Sequence, residues 1–306
     1  REGKIYRITP RRNDEVNDTW MTDTGRALYK EIESEHRLVH YTIEGVHKGS
    51  DEAAVVAAEL LKSGKIALVG SANSSVEEQF FYKGIAESSD AKVYLVSHYG
   101  DGDGLLQSED RTPNLRGALV TGLISELPSE NLEALARDIN SGAVKTILAV
   151  NEDLTELGIS KDVLAKAKVI YVGSHANRTS EVANIVLPSL MVFEKDGSFI
   201  NQSFRIQRFK AAIPGPRGIQ PDFTVLGKIA ALLDDEEATF MTIDSVWERM
   251  VATIDQLSDS LRWRTLPEKG VTLDATAFLD LGFIETKNLK YDPVAFKQAH
   301  VAQVEV

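Results

Sequence analysis

The 306-residue sequence holds no cysteine, so disulfides, thiolate zinc sites, cysteine nucleophiles and thiolate-ligated iron–sulphur clusters are excluded within this chain. Other residues able to do chemistry gather in a few short stretches. GSANSS, residues 70–75, follows an apolar run where a phosphate turn would fall, with Ser71 and Asn73 as its polar groups. It lacks G-x-G-x-x-G spacing and the lysine of a P-loop. Glu77 and Glu78 come next, in the first turn of an expected helix, where they satisfy the helix dipole and would repel an anion by about 1 kcal/mol each. Capping by Ser74 and Ser75 is the expected use of this loop, with dinucleotide binding the alternative.

GDGDG, residues 100–104, invites a calcium reading. Counted from Asp101, however, positions five and six are Leu105 and Leu106, where an oxygen ligand and a glycine are required. His36 and His40 have the i, i+4 spacing of a helical metal pair, with Glu44 and His47 nearby, but there is no HExxH and no obvious third ligand. They are expected as surface histidines. SHANRTSE, residues 174–181, brings His175, Asn177, Arg178 and Thr179 to a strand end, where they could hold an anion or cap a short helix. No Ser–His–Asp order and no carboxylate pair can be argued from spacing. No catalytic and no metal-ligating residues are therefore expected.

These stretches need elements to position them. A helix is expected over 51–63, ended by Gly64, and a buried strand over 65–71. A capped helix to about Ser88, a strand over 92–97, a helix from Ser129 or Asn131 to Gly142 and a strand over 144–151 follow. A short helix over 161–167 and strands over 168–174 and 185–189 complete the alternation. Strands alternating with helices predict an α/β fold with a doubly wound, mostly parallel sheet, whose ligands sit at the carboxyl ends of the strands. Before it, 3–10 has strand alternation and 27–50 has the look of a short helix and a crossing segment. Beyond Glu194 the chain is expected to be irregular, then helical over about 222–233 and 245–261, with the tail on the outside. Three parts are thus expected: 1–50, 51–235 and 236–306.

Composition narrows the partners. With 34 basic against 46 acidic residues the net charge is −12, which argues against nucleic acid and anionic membrane surfaces. No apolar run reaches the roughly 18 residues of a membrane span.

The pattern RxTPRxNxxVNxxWxxDxGRxxY over 7–29 resembles the large iron–sulphur subunit of NADH:quinone oxidoreductase, respiratory complex I, within the molybdopterin oxidoreductase superfamily. Stretch 105–123, with Thr112, Pro113, Asn114 and Gly117, is similar to a second family segment, and 177–189 to a third. Stretch 193–223, with Glu194, Gly197, Asn201, Arg205, Gln207, Pro221, Asp222 and Phe223, resembles a fourth. Thr22 stands where some bacterial members carry the fourth cysteine of an extra [4Fe–4S] cluster, and Asn184 replaces the usual aspartate.

The resemblance implies formate-dehydrogenase- and DMSO-reductase-like central domains, preceded by the remnant of an iron–sulphur module. It also implies a fragment of a longer chain, with iron–sulphur clusters upstream. No cofactor is expected in this chain, molybdopterin included. The implied role is a non-catalytic structural domain among the other subunits of a respiratory complex, in its peripheral arm on the cytoplasmic side, or the matrix side in a eukaryote. Direct membrane insertion is not expected. A catalytic molybdopterin oxidoreductase and an independent small-molecule-binding α/β module are the alternatives. A vestigial pocket would draw on Ser71, Asn73, His175, Arg178, Arg205 and Gln207. Trp20, with Asp23 and Arg26, is expected to be a buried anchor for the leading turn. Arg205 and Gln207, on a strand-like strip over 203–210, are expected to be internal tethers.

Overall fold

The computed structural model describes residues 3–102, 108–128, 132–237 and 241–283. The leading segment is extended and holds one short helix, α1 (Asp23–Ala27), followed by a 3₁₀ turn over Leu28–Glu33. The expected strand over 3–10 is absent, because no neighbouring strand lies beside that stretch to accept its backbone. The expected crossing segment is a hairpin instead, β1 (Tyr41–Ile43) and β2 (Val46–Lys48). Glu44 and Gly45 form its two-residue turn with φ of 46° and 75°, a left-handed pair that matches strand twist.

Regular alternation follows: α2 (Ser50–Leu61), β3 (Ile66–Ser71), α3 (Val76–Ser88), β4 (Lys92–Val96), α4 (Leu115–Val120), α5 (Glu133–Ser141) and β5 (Thr146–Val150). Then come α6 (Lys161–Leu164), β6 (Lys168–Gly173), α7 (Arg178–Glu181) and β7 (Ile185–Pro188). The capping pair Ser129 and Asn131 lies outside the described residues, and so do Gly104, Leu105 and Leu106 of the glycine-rich stretch. The C-cap of α5 is Gly142 in the left-handed region, as its sequence position implied.

The seven-stranded sheet has the order β2-β1-β7-β6-β5-β3-β4. Pairings among β3 to β7 are parallel, while β1 joins β7 and β2 joins β1 antiparallel. Period-two alternation divides each central strand between two cores. Leu68, Leu148, Val150, Ile170 and Val172 face the layer of α2 and α3, while Val69, Ile147, Ala149, Val169 and Tyr171 face that of α5 and α6. The parallel order 4-3-5-6-7 reverses direction between β3 and β5, which makes their carboxyl ends the switch point.

After Glu194, where irregular chain was expected, β8 (Gly197–Ile200) and β9 (Arg205–Phe209) pair antiparallel. They form a second sheet with β10 (Val271–Thr272), joined to β9 in the order β10-β9-β8. Between them in sequence lie α8 (Asp222–Leu233) and α9 (Ile243–Thr253), the latter shorter than the helix expected over 245–261. The described tail does not lie loosely outside. Trp247 is fully buried, Trp263 nearly so, and α8 packs on α2 and α3.

Trp20 corrects an expectation. It is 44% exposed, and Arg26 Nε stands 4.0 Å from Asp23 Oδ1 with both groups in solvent. The polar frame around it is local: Thr22 Oγ1 accepts from the Gly25 amide at 3.1 Å and is the N-cap of α1. No helix places His36 and His40 on one face. His40 and His47 stack across the hairpin with ring centroids 4.2 Å apart, and among the described residues no group of three or more metal-ligating side chains occurs.

Candidate functional site

A cavity of about 800 Å³ opens at the switch point. Its wall comes from the loops after β3 (Asn73, Ser75), β4 (His98), β5 (Asn151, Glu152, Asp153, Glu156), β6 (Ser174, His175, Asn177) and β7 (Ser189, Leu190, Met191). These loops converge because parallel strands all present their carboxyl ends on one edge.

Beneath the mouth, Glu152 spans the switch point. Its carboxylate accepts from the Ser71 hydroxyl on β3 and meets His98 Nε2 at 2.9 Å. Ser71 Oγ in turn accepts from the Asn73 amide at 3.1 Å. Glu152 is buried, and its hydrogen bond raises the pKa of His98 above the ordinary 6.5. On the next loop Tyr171 donates to the His175 carbonyl at 3.1 Å and accepts from Asn177 Nδ2 at 2.8 Å. The imidazole of His175 meets the Glu31 carbonyl at 2.8 Å and Ser174 Oγ at 3.0 Å, tying the leading segment to the strand ends.

A buried ionic layer lies along the same edge. Lys195 bonds Glu78 and, at 2.6 Å, Asp222 Oδ2, with all three side chains nearly inaccessible. Burial alone would lower the lysine's pKa, but Asp222 and Glu78 raise it on balance. Burial pushes Asp222 up to about 8, since two carboxylates share one ammonium, whereas Glu78 ends low because Lys195 outweighs its own burial. Arg37 pairs with Glu194 and donates to the carbonyls of Ser174, at 2.6 Å, and Ser189, at 3.3 Å. It clamps the ends of β6 and β7.

The first turn of α3 is also occupied from within. Ser75 and Glu78 form the capping box expected of them. The second box does not form: Glu77 turns away to accept from Ser198 N at 2.9 Å, Ser198 Oγ at 2.8 Å and Trp247 Nε1 at 2.8 Å. Asn114, fully buried, joins three elements. Its amide donates to the Ser74 carbonyl at 2.7 Å and accepts from Ile200 N at the same distance. A Cβ on Gly117 would lie 2.2 Å from Asn114 Oδ1, so this glycine leaves room for the asparagine.

Of the residues singled out in sequence, Asn73 and His175 line the cavity and Ser71 underlies it through Glu152. Arg178 is exposed at the start of α7, outside the lining, and its backbone amide caps onto Asp153. Arg205 and Gln207 stand on β9, away from the cavity. Arg205 Nη1 donates to the carbonyls of Lys269, at 3.2 Å, and Gly270, at 3.1 Å, while Nη2 stands 3.4 Å from Glu15. Glu152, Arg37 and Lys195 were not singled out for this site. Their partners are distant in sequence and no local spacing announces them.

The fold and its switch-point cavity define a doubly wound α/β domain. A sequence profile of molybdopterin oxidoreductases matches residues 36–232, more than half of the chain, and the chain belongs to that family. It is 28% identical over 204 residues to the mitochondrial NADH-ubiquinone oxidoreductase 78 kDa subunit of Neurospora crassa, covering 63% of this chain and 25% of that protein. It is 30% identical over 95 residues to a formate dehydrogenase alpha subunit of Methanococcus maripaludis, covering 28% of this chain and 14% of that one. The chain thus spans a quarter or less of these relatives. A chain of the formyltransferase/hydrolase complex of Methylorubrum extorquens superposes with a TM-score of 0.47 at 11% identity, over 64% of this chain and 99% of that one. That likeness carries no functional argument.

The described cavity does not fit the cofactor that the family name implies. A pterin bearing phosphate groups calls for uncommitted cations. Here the wall carries Glu78, Glu152, Asp153 and Glu156, while Lys195 is committed to two carboxylates. The helix N-terminus that would face an anion already holds Glu77 and Glu78. No cysteine is present to ligate a metal.

Proposed function

We propose that this chain is a non-catalytic structural domain of the iron–sulphur subunit of an NADH-dehydrogenase-like respiratory complex, with its pterin site lost. The observation that carries the reading is Glu152, a buried carboxylate spanning the switch point from Ser71 to His98 where an anionic cofactor would need donors. Supporting it, a curated match over 204 residues is to a complex I subunit, and Arg37 and Lys195 near the cavity are held by internal carboxylates. Residues 1–50 would be the remnant of the iron–sulphur module, 51–235 the molybdopterin-type domain and 236–306 its extension. Other subunits of the peripheral arm, on the cytoplasmic or matrix side, would be its partners, and clusters would lie upstream. Among the described residues no helix is long and apolar enough to cross a membrane.

The test is elemental analysis of the chain produced in a host that makes molybdenum cofactor. Iron, molybdenum and tungsten are expected far below stoichiometry, and stoichiometric molybdenum would overturn the reading. The match to a formate dehydrogenase favours a second reading, a piece of a working molybdopterin oxidoreductase. The parent gene separates the two, because the second requires a complete set of pterin-binding domains.

A further inference from the structure

We propose that the stacked pair His40 and His47, on the edge hairpin, is a binding site for a borderline divalent metal ion of the zinc, nickel or copper class. The pair lies outside the switch-point cavity, and the site does not depend on how that cavity is read. His40 precedes β1, and His47 stands on β2 opposite Thr42 in the register. Side chains alternate along a strand, so Thr42 and His47 share one face while Tyr41 turns the other way into the core. Stacking brings His40 to the face of His47, with ring centroids 4.2 Å apart and the planes inclined by 19°. Neither imidazole makes a hydrogen bond or an ion pair within the described residues, so the nitrogens of both are free to ligate.

The frame under the pair is fixed. β1 is bonded to β7, the Glu44 amide donates to the Asn184 carbonyl at 2.7 Å, and the Tyr41 hydroxyl accepts from the Gln220 amide at 3.1 Å. Two imidazoles on one frame bind as a chelate, because the second meets the metal at high effective concentration. A tetrahedral zinc with Zn–N bonds of about 2.0–2.1 Å sets two ligating nitrogens roughly 3.3 Å apart. Two exposed rings already 4.2 Å apart reach that spacing by a small turn of their side chains. The donor set selects the ion: imidazole suits zinc, nickel and copper, whereas magnesium and calcium require oxygen ligands. The one carboxylate of the hairpin, Glu44, is committed to Lys168 and Asn184. Lys48, beside His47, has its charge met by Glu52 at 2.6 Å. Water fills the remaining coordination positions, which leaves the metal open to an outside ligand.

Isothermal titration of the 306-residue chain with Zn²⁺ is expected to show one saturable site, and Mg²⁺ none. His40→Gln and His47→Gln should each weaken Zn²⁺ at least about tenfold, while His36→Gln, which removes an exposed histidine outside the pair, leaves it unchanged. Both rings of the pair are exposed, so neither substitution should move the melt of the metal-free chain. In the unsubstituted chain, Ni²⁺ as a paramagnetic probe should broaden the amide signals of residues 40–48 first. No saturation, Mg²⁺ bound as tightly as Zn²⁺, binding that survives either substitution in the pair, an equal loss in His36→Gln, or broadening centred away from the hairpin overturns the inference.

Discussion

At the residue scale, Thr22 is a helix cap. The hydroxyl accepts from the Gly25 amide, a service a thiol performs poorly and a threonine well. Thr22→Ala is expected to cost the leading turn about 1 kcal/mol, seen as faster hydrogen exchange at Gly25, while Trp20→Ala leaves the global melt unchanged because that ring is half in solvent. A Trp20→Ala melt several degrees lower would refute this. Asn184 is a second residue with a visible role. Its carbonyl accepts from Val169 N at 2.9 Å and its amide donates to Glu44 at 3.0 Å, which an aspartate could not do. His98 supplies the titration. Its pKa is raised by Glu152, so its contribution to stability is complete below the unfolded histidine pKa and is lost as pH rises through the higher folded value. An NMR titration should find that midpoint above 6.5 and return it towards 6.5 in Glu152→Gln; a midpoint insensitive to the substitution would show that the pairing does not govern it.

Between elements, ionic and hydrogen-bonded ties hold the edge of the sheet together. Lys195, ahead of β8, locks α3 through Glu78 and α8 through Asp222. Removing the ammonium leaves the buried Glu78 carboxylate without its cation beside Asp222, so Lys195→Met is expected to cost about 3–5 kcal/mol in denaturant melts. Adding Glu78→Gln and Asp222→Asn should restore much of that loss, since uncompensated charge is its cause. A single Lys195→Met that melts like the parent would mean that Lys195 does not compensate a buried charge there. Arg205 ties β9 to the turn at Gly270, whose φ of +79° and close approach to the Ile206 carbonyl exclude a side chain. Arg205→Ala should cost about 1–2 kcal/mol, against almost nothing for exposed Lys210→Ala, and equal melts would discount the tether.

Across the whole molecule the tail behaves as a layer of the core. The indole of Trp247 on α9 donates to Glu77 on α3, and the same carboxylate holds Ser198 on β8, so three layers meet at one buried group. Burial raises the pKa of Glu77 even though its hydrogen bonds pull the other way. Trp263 closes the second sheet, donating to the Gly197 carbonyl at 3.2 Å. Unfolding followed by tryptophan fluorescence and by far-ultraviolet circular dichroism should therefore give one coincident transition. Trp247→Ala should move both by about 3–5 kcal/mol. An earlier, separate fluorescence transition would show that the tail is an independent appendage.

The sequence by itself determined the parallel sheet. Ile66 to Ser71, Thr146 to Val150 and Lys168 to Gly173 are apolar runs too short for helices, and their capping residues and glycines mark where each crossover starts and stops. It also located the loops that matter, because carboxyl ends follow from strand order. It did not disclose the hairpin of β1 and β2 or the sheet of β8, β9 and β10, whose strands are short and acquire their form only from partners. Nor did it disclose the character of the cavity. Glu152 meets Ser71 across 81 positions and Lys195 meets Glu78 across 117, so the charge of the site is set by pairings that no local spacing records. Trp20 failed for the same reason in reverse: a tryptophan in a motif suggests an anchor, but burial depends on what the fold brings to cover it, and here nothing covers nearly half of it.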